Sequence, residues 1–374
     1  MSEWKECTLG EVLNLRRGYD LPHSKMIEGI IPVAGSNGII GTHNIATDIE
    51  PCITVGRSGS AGSTFFYDKA WAHNTTLYID DFKGNDPKYL YYLLLSLPLK
   101  KMAGGSAVPS LNRNHIHPLK IRFPFSIEKQ RAIASILSSL DAKIENNRKI
   151  CANLEAQAQA LFKHWFIDFA PFKAGKFVES ELGMIPEGWR VGTLTDILKN
   201  IKDTTKQGDY PELPYLPIDS IPMNSFLVKD IKDNSEAQSS LILFKKYDIL
   251  IGAMRVYFHR VIPAPFDGIT RSTCFVVRPK IWNYYSFAIC SVNSNQAILH
   301  AQKTSKGSTM PYAVWEGGLG AFSIVIPPES VAREFDYLIK KYIDIIQYTY
   351  FENQKLTSLR DTLLPKLMSG EIKV

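Results

Sequence analysis

The sequence predicts an α+β fold: two mixed α/β domains, two long antiparallel coiled-coil helices, and a pseudo-twofold internal repeat. Three observations lead there. Short apolar runs alternate with glycine turns over most of the chain. Two segments instead hold heptad spacing over several turns. The same small motifs also return about 200 residues later.

The echo is specific. Gly105-Ser106-Ala107-Val108-Pro109 returns as Gly307-Ser308-Thr309-Met310-Pro311, an offset of 202. Phe123-Pro124 returns as Ile326-Pro327, and Leu140-Asp141 as Ile343-Asp344. Near the start of each copy, Trp4-Lys5…Thr8-Leu9 returns as Trp189-Arg190…Thr193-Leu194, an offset of 185. Two copies of one unit suit a twofold-symmetric partner, and duplex DNA is the commonest such partner.

In residues 1–125, Ile30–Val33, Cys52–Val55, Thr75–Ile79 and Leu119–Phe123 read as strands, and Pro87–Leu97 as a helix. From Glu128 to Trp165 there is neither proline nor glycine. Ile133, Leu137, Leu140, Ile144, Asn147, Cys151, Leu154, Ala158, Leu161 and Trp165 alternate steps of four and three. That is a coiled-coil seam, and a helix of this length spans roughly 57 Å at 1.5 Å per residue. The spacer helix is placed at 126–170. Residues 171–188, rich in glycine and proline, read as a linker.

The second domain is placed at 189–328, with strands at Ile249–Gly252, Arg255–Ile262 and Cys274–Arg278. Pro327-Pro328 then starts a second long helix, expected to stop at Pro365 within a distal segment 329–374. Its seam is Phe335, Ile339, Tyr342, Ile346, Thr349, Asn353, Leu356 and Leu363. Antiparallel packing brings the polar entries Asn147 and Asn353 within about a turn, where a buried polar pair fixes register.

The formal net charge of +6 is not spread evenly. Residues 1–125 carry +2 and residues 189–328 carry +4, while the two helical segments are neutral. Basic globular parts suit phosphate contacts and neutral helices suit protein partners. The five cysteines show no CxxC spacing, which argues against zinc and for a reducing compartment. The N-terminus does not read as a signal peptide, and the most apolar stretch, Tyr89–Leu99, is too short to span a bilayer. A cytoplasmic protein with no membrane segment is expected.

Catalytic signatures are missing. There is no Walker A motif, no G-x-G-x-x-G after a strand, no HExxH and no G-x-S-x-G elbow. His115-x-His117, beside Pro118, lacks a third ligand and reads as a loop pair rather than a metal site.

Two recurring loops instead suit nucleic acid. The first is Gly56–Gly62, with Arg57, Ser58 and Ser60; its counterpart carries Arg255, Tyr257, His259 and Arg260. Small residues let the backbone approach phosphate, and arginine forks onto guanine. The second holds Ser106, Asn112 and Arg113 in one copy and Lys306 and Ser308 in the other. Asparagine pairs with adenine, and serine or lysine holds phosphate. Arg16, Arg17 and Lys206 (with Lys202 nearby) are further candidates for phosphate. For any single one of these, a solvated loop charge is an equally good reading.

The order of these pieces resembles the specificity subunit of type I restriction-modification systems. The resemblance rests on Ile185-Pro186-Glu187-Gly188-Trp189-Arg190, on Ser106–Ile116 followed by Ile121-Arg122-Phe123-Pro124, and on Glu128-Lys129-Gln130-Arg131-Ala132-Ile133. It also rests on Leu161-Phe162-Lys163-His164-Trp165-Phe166 and the tail Leu359–Gly370. It covers essentially the whole chain.

The resemblance implies two target-recognition domains, each reading one half of a bipartite, asymmetric DNA site. It implies helices that set the spacing and dock two adenine-N6 methyltransferase subunits, with restriction/translocase subunits joining that core. S-adenosylmethionine and ATP would belong to those partners, so no cofactor is expected of this chain. Gln130-Arg131 has no clean match after Pro328, where Val331-Ala332-Arg333-Glu334 stands. An enzyme with an unfamiliar site and a coiled-coil scaffold without DNA remain the alternatives. DNA affinity that falls with log salt separates the scaffold from the reader.

Overall fold

The computed structural model describes residues 4–104, 110–238 and 240–374. The class is α+β with long helices. The chain divides into two compact units: residues up to Ile144 together with Lys355–Val374, and Glu145–Gln354.

The first unit opens with β1 (Trp4–Thr8), α1 (Leu9–Val12) and β2 (Asn14–Arg17). A reciprocal capping box between Thr8 and Glu11 starts α1; the Thr8 amide donates to Glu11 Oε2 at 2.5 Å. There follow β3 (Ile31–Gly35), β4 (Gly38–His43), β5 (Cys52–Gly56), β6 (Thr64–Tyr67), β7 (Trp71–Ala72) and β8 (Thr76–Asp81). The main sheet has the order β2-β8-β5-β6, and β4-β3-β7 form a second sheet. Central strand β5 is buried along its whole length, which explains why its sequence does not alternate. Asp86 caps α2 (Pro87–Ser96), accepting from the Tyr89 amide at 2.9 Å, with proline at the first turn. A short α3 (Arg113–Ile116) leads into β9 (Lys120–Pro124), which pairs antiparallel with β1.

Helix α4 (Ile127–Phe162) begins in this unit. Its Ile133 and Leu137 are fully buried against Leu9, Tyr89 and Phe123 in one core. Gln130, also fully buried, donates to Asn85 Oδ1 and the Pro124 carbonyl, both at 2.9 Å, and accepts from the Asp86 amide. It is an interior tie, not part of an outer face.

The second unit is also α+β. After β10 (Phe177–Ser180) and β11 (Gly183–Pro186) come β12 (Arg190–Thr193), α5 (Leu194–Ile197), β13 (Leu198–Ile201), β14 (Thr204–Thr205), β15 (Leu241–Phe244), β16 (Ile249–Gly252), β17 (Val261–Pro263), β18 (Gly268–Arg271) and β19 (Cys274–Pro279). Helices α6 (Tyr285–Val292) and α7 (Asn295–Lys303), then β20 (Ser323–Ile326) and α8 (Glu329–Ser369), complete the chain. The main sheet runs β13-β19-β16-β17, β14-β15-β18 form a side sheet, and β12 pairs antiparallel with β20. A capping box again starts the first short helix, here Thr193 with Asp196.

Inside this unit the two long helices run antiparallel. As α4 ascends through Asn147 and Phe162, its partners descend through Asn353 and Phe335. Phe166 anchors the core, with ring centroids 4.8 Å from both Phe287 and Phe335.

Three expectations from the sequence are corrected. The stretch 171–188 contains an antiparallel hairpin, β10 with β11, and Phe172 packs on Trp189 at 5.0 Å. Its glycines and prolines shape tight turns rather than an open linker. Arg255–Ile262 is not one strand: Arg255 and His259 have positive φ (49° and 51°) and bracket a short 3-10 turn, so only Val261–Pro263 is extended. Finally, α8 does not stop at Pro365 but continues to Ser369. Proline lacks an N–H and crowds the carbonyl four residues back, yet Leu367 and Met368 are buried in the first unit's core, and that burial carries the helix past it.

Candidate nucleic-acid interface

The first unit gathers residues from three distant stretches of sequence around one cavity of about 380 Å³. Strand β2 supplies Arg16 and Arg17, the end of β5 supplies Arg57, and the loop before α3 supplies Ser110, Asn112 and Arg113. Backbone bonds fix this arrangement. The Arg57 amide donates to the Thr75 carbonyl at 2.8 Å, and the Arg57 carbonyl accepts from the Leu111 amide at 2.8 Å. Ser110 bridges both Ser58 and Gly104.

The four guanidinium groups are only loosely held. Arg113 Nη1 lies 3.4 Å from the Leu15 carbonyl, and Arg57 Nη1 lies 3.5 Å from that of Asn74. Both distances are at the outer limit for a hydrogen bond. Arg16 sits over the Tyr19 ring at 5.5 Å, and Arg17 reaches exposed Asp20 at 3.9 Å. Among the described residues, no carboxylate lines the cavity.

Two neighbouring histidines, His117 and His73, add no charge at neutral pH. Burial, then the nearby Arg113 and Lys83, push His117 below the ordinary histidine range. Its Nε2 accepts from the Leu15 amide at 3.0 Å, which requires the neutral ring. Burial likewise lowers His73. The positive charge of the cavity is therefore arginine charge.

Of the remaining candidates in this unit, Ser58 and Ser60 lie half-buried in the loop after β5, and Ser106 lies outside the described residues. Asn112 uses its Oδ1 to cap α3 through the Asn114 amide at 3.0 Å, so bidentate adenine pairing would require release of that cap.

In the second unit the candidates scatter. Arg255 and Tyr257 are exposed, and the Arg255 amide donates to the Pro311 carbonyl. Lys306 pairs through its backbone with exposed Tyr312, which also bridges Met254; Ser308 is exposed. Together these form one outward ridge. Lys206 sits apart, its amide bonded to Asp209.

Two candidates are not free for a ligand. His259 is turned inward onto Asn293, 2.9 Å from its Oδ1. Arg260 donates to the carbonyls of Ile218 (2.5 Å) and Ile221 (2.8 Å) and braces the loop there. Sequence spacing could not reveal either, because their partners lie more than 30 residues away in sequence.

A larger cavity of about 770 Å³ also lies in the second unit, lined by Phe162, Phe166 and Phe287 with Glu155, His259 and Asn293. It has no convergent positive charge, so the smaller arginine cavity is the better nucleic-acid candidate. The described residues contain no metal-ligand cluster and no helix long and apolar enough to cross a membrane.

Residues 1–156 match the family model for the type I restriction modification DNA specificity domain. The MjaIX specificity subunit of Methanocaldococcus jannaschii is 31% identical over 311 residues, covering 77% of this chain and 69% of that one. The chain belongs to the type I restriction-modification specificity subunits. The HindI specificity subunit of Haemophilus influenzae is 23% identical, covering 76% of this chain and 77% of its own. A crystal structure of a type I specificity subunit from M. genitalium shares the fold of this specificity subunit, with a TM-score of 0.64 at 17% identity, covering 98% and 96% of the two chains.

Proposed function

We propose that this specificity subunit reads a bipartite, asymmetric site on double-stranded DNA, one half with residues 1–125 and the other with 189–328. The observation that carries this reading is the arginine cavity: four arginines line one space, with no carboxylate among the described lining residues. Such a concentration of fixed positive charge suits a phosphate backbone. The shared strand orders β2-β8-β5-β6 and β13-β19-β16-β17 support reading the chain as an internal repeat. Different loop side chains on these two scaffolds support unlike half-sites.

The long helices serve as a coiled-coil spacer between the half-sites and dock two adenine-N6 methyltransferase subunits, to which restriction/translocase subunits add. Exposed Tyr337, Leu338, Ile345 and Tyr348 on α8 support a protein-docking role. Asn147 and Asn353 fix helix register. Methylation and cleavage belong to the partners, and the complex works on chromosomal DNA in a prokaryotic cytoplasm.

The test is a domain exchange. Replacing residues 1–125 with the first domain of another specificity subunit should change one half of the methylated site, read by mapping N6-methyladenine, and leave the other half intact. Both halves changing together would reject two independent readers.

A further inference from the structure

The first unit's arginine cavity has a counterpart position in the second unit, and main-chain bonds define it. The Arg57 amide donates to the Thr75 carbonyl as the Ala253 amide donates to that of Thr273, each at 2.8 Å. The Leu111 amide donates to the Arg57 carbonyl as the Ala313 amide donates to that of Ala253, again at 2.8 Å. Ser110 bridges Ser58 and Gly104 as Tyr312 bridges Met254 and Lys306. In the sheets, Arg16 faces Tyr78 and Ile201 faces Val276, each pair at the same step from the matching glycine, Gly56 or Gly252.

The side chains hung on these equivalent positions differ in kind. Ile201, Ala253, Val314 and Trp315 stand where the first unit has Arg16, Arg57, Asn112 and Arg113. Trp315 is 4% exposed and packs at 5.9 Å on Phe275, the register counterpart of the cavity-lining Leu77. Lys202 follows Ile201 as Arg17 follows Arg16, but its ammonium is paired with Glu316 at 2.9 Å.

We infer that the arginine cavity is a phosphodiester grip present in the first unit and replaced by an aromatic plug in the second, so the two half-sites are held by different chemistry. The inference rests on the DNA-reading function proposed above. Guanine recognition engages one arginine fork, and a base pocket presents flat apolar walls. Here four cations share about 380 Å³ whose only apolar lining residues, among those described, are Leu77 and Leu111. Adjacent backbone phosphates supply the matching charge. The second unit then depends on its exposed ridge of Arg255, Tyr257, Lys306 and Tyr312.

The experiment measures affinity of the full chain, assembled with its methyltransferase, for the methylated-site duplex and a scrambled duplex across a salt series. Arg57→Gln/Arg113→Gln should weaken both duplexes by the same factor, roughly tenfold or more, and reduce the slope of log affinity against log salt by about 2, from ~0.9 per phosphate. Arg16→Gln alone, at an exposed position, should reduce it by about 1. Lys202→Gln should leave the slope unchanged.

Loss confined to the methylated-site duplex would make these arginines base readers and overturn the inference. So would unchanged slopes, or a matching slope loss for Lys202→Gln. Titration with inorganic phosphate separates the sources: an arginine-dependent phosphate affinity with unaltered duplex slopes would mark a free-anion site and overturn the DNA grip. If wild type itself shows no salt-linked DNA affinity, the broader reading fails first, and that result is visible before any variant is made.

Discussion

Asn147 donates from Nδ2 to Asn353 Oδ1 at 2.8 Å, and the same amide reaches Glu352 Oε2 at 2.6 Å. Asn147 is buried, among otherwise apolar seam neighbours such as Ile144 and Cys151. Asn147→Ala should destabilise the Glu145–Gln354 unit by about 1–2 kcal/mol, because acceptors lose their donor in a half-dry site. Leucine at both 147 and 353 should be more stable than that single variant while loosening register. Denaturant unfolding checks the first point, and a crystal structure of the double variant checks the second. A double variant no more stable than Asn147→Ala would reject the argument.

A stronger tie lies in the main sheet of the second unit. Asp248 is fully buried and binds Arg278 through two bonds, 2.6 Å and 2.8 Å. Arg278→Met leaves a buried carboxylate that keeps the hydrogen bond from the Lys245 amide but has lost its cation. The cost should be roughly 3 kcal/mol, at the low end for such pairs because Arg278 is partly wet. Adding Asp248→Leu should recover much of it. Urea midpoints for the two variants decide, and no recovery in the double variant would count against the desolvation account.

Burial pushes Glu155 above the ordinary glutamate range, against opposing bonds from the Phe226 amide and Ser225 Oγ. The folded state therefore binds this proton more tightly than the unfolded state. Stability from Glu155 is greatest below the ordinary value and falls as pH rises through the raised one. Glu155→Gln keeps an acceptor for both bonds and removes the buried charge. Its melting temperature should exceed wild type at pH 7 and converge with it as pH falls below the ordinary glutamate range. A gap that widens on acidification would contradict this.

Gly56 and Gly59 predict opposite sensitivities in one loop. A Cβ at Gly56 would lie 2.3 Å from the Ser60 carbonyl oxygen and 2.8 Å from that of Ser36. Gly59 has φ of +77°, but its nearest neighbour to a Cβ is 3.9 Å away. Gly59→Ala should cost about 1 kcal/mol of backbone strain. Gly56→Ala must move main chain, so it should cost more and also weaken DNA binding by displacing Arg57. Thermal melting and duplex affinity, measured together, test the ranking.

Much of the fold was readable because it follows periodicity. Every seam residue of α4 and α8, from Ile133 to Leu363, is buried or half-buried. Strands β5, β8, β9 and β16 begin within one residue of their apolar runs. The site was readable only in part. Arg57 and Arg113 stood out beside glycine and asparagine, but nothing local shows that Arg16 and Arg17 share their cavity, since sheet pairing brings them there. His259 and Arg260 looked available because their captors, Asn293 and the carbonyls of Ile218 and Ile221, are remote in sequence. The burial of Gln130 was not legible for a similar reason: its three partners belong to other elements. Pro365 misled because proline's local rule yields to the burial of Leu367 and Met368.

The frame around Arg57 and Ala253 is made by amides and carbonyls, which every residue type except proline supplies in full. Side chains there can be exchanged without disturbing what holds the frame together. A half-exposed side chain such as Arg57 can therefore be replaced while every bond that carries these loops stays paired.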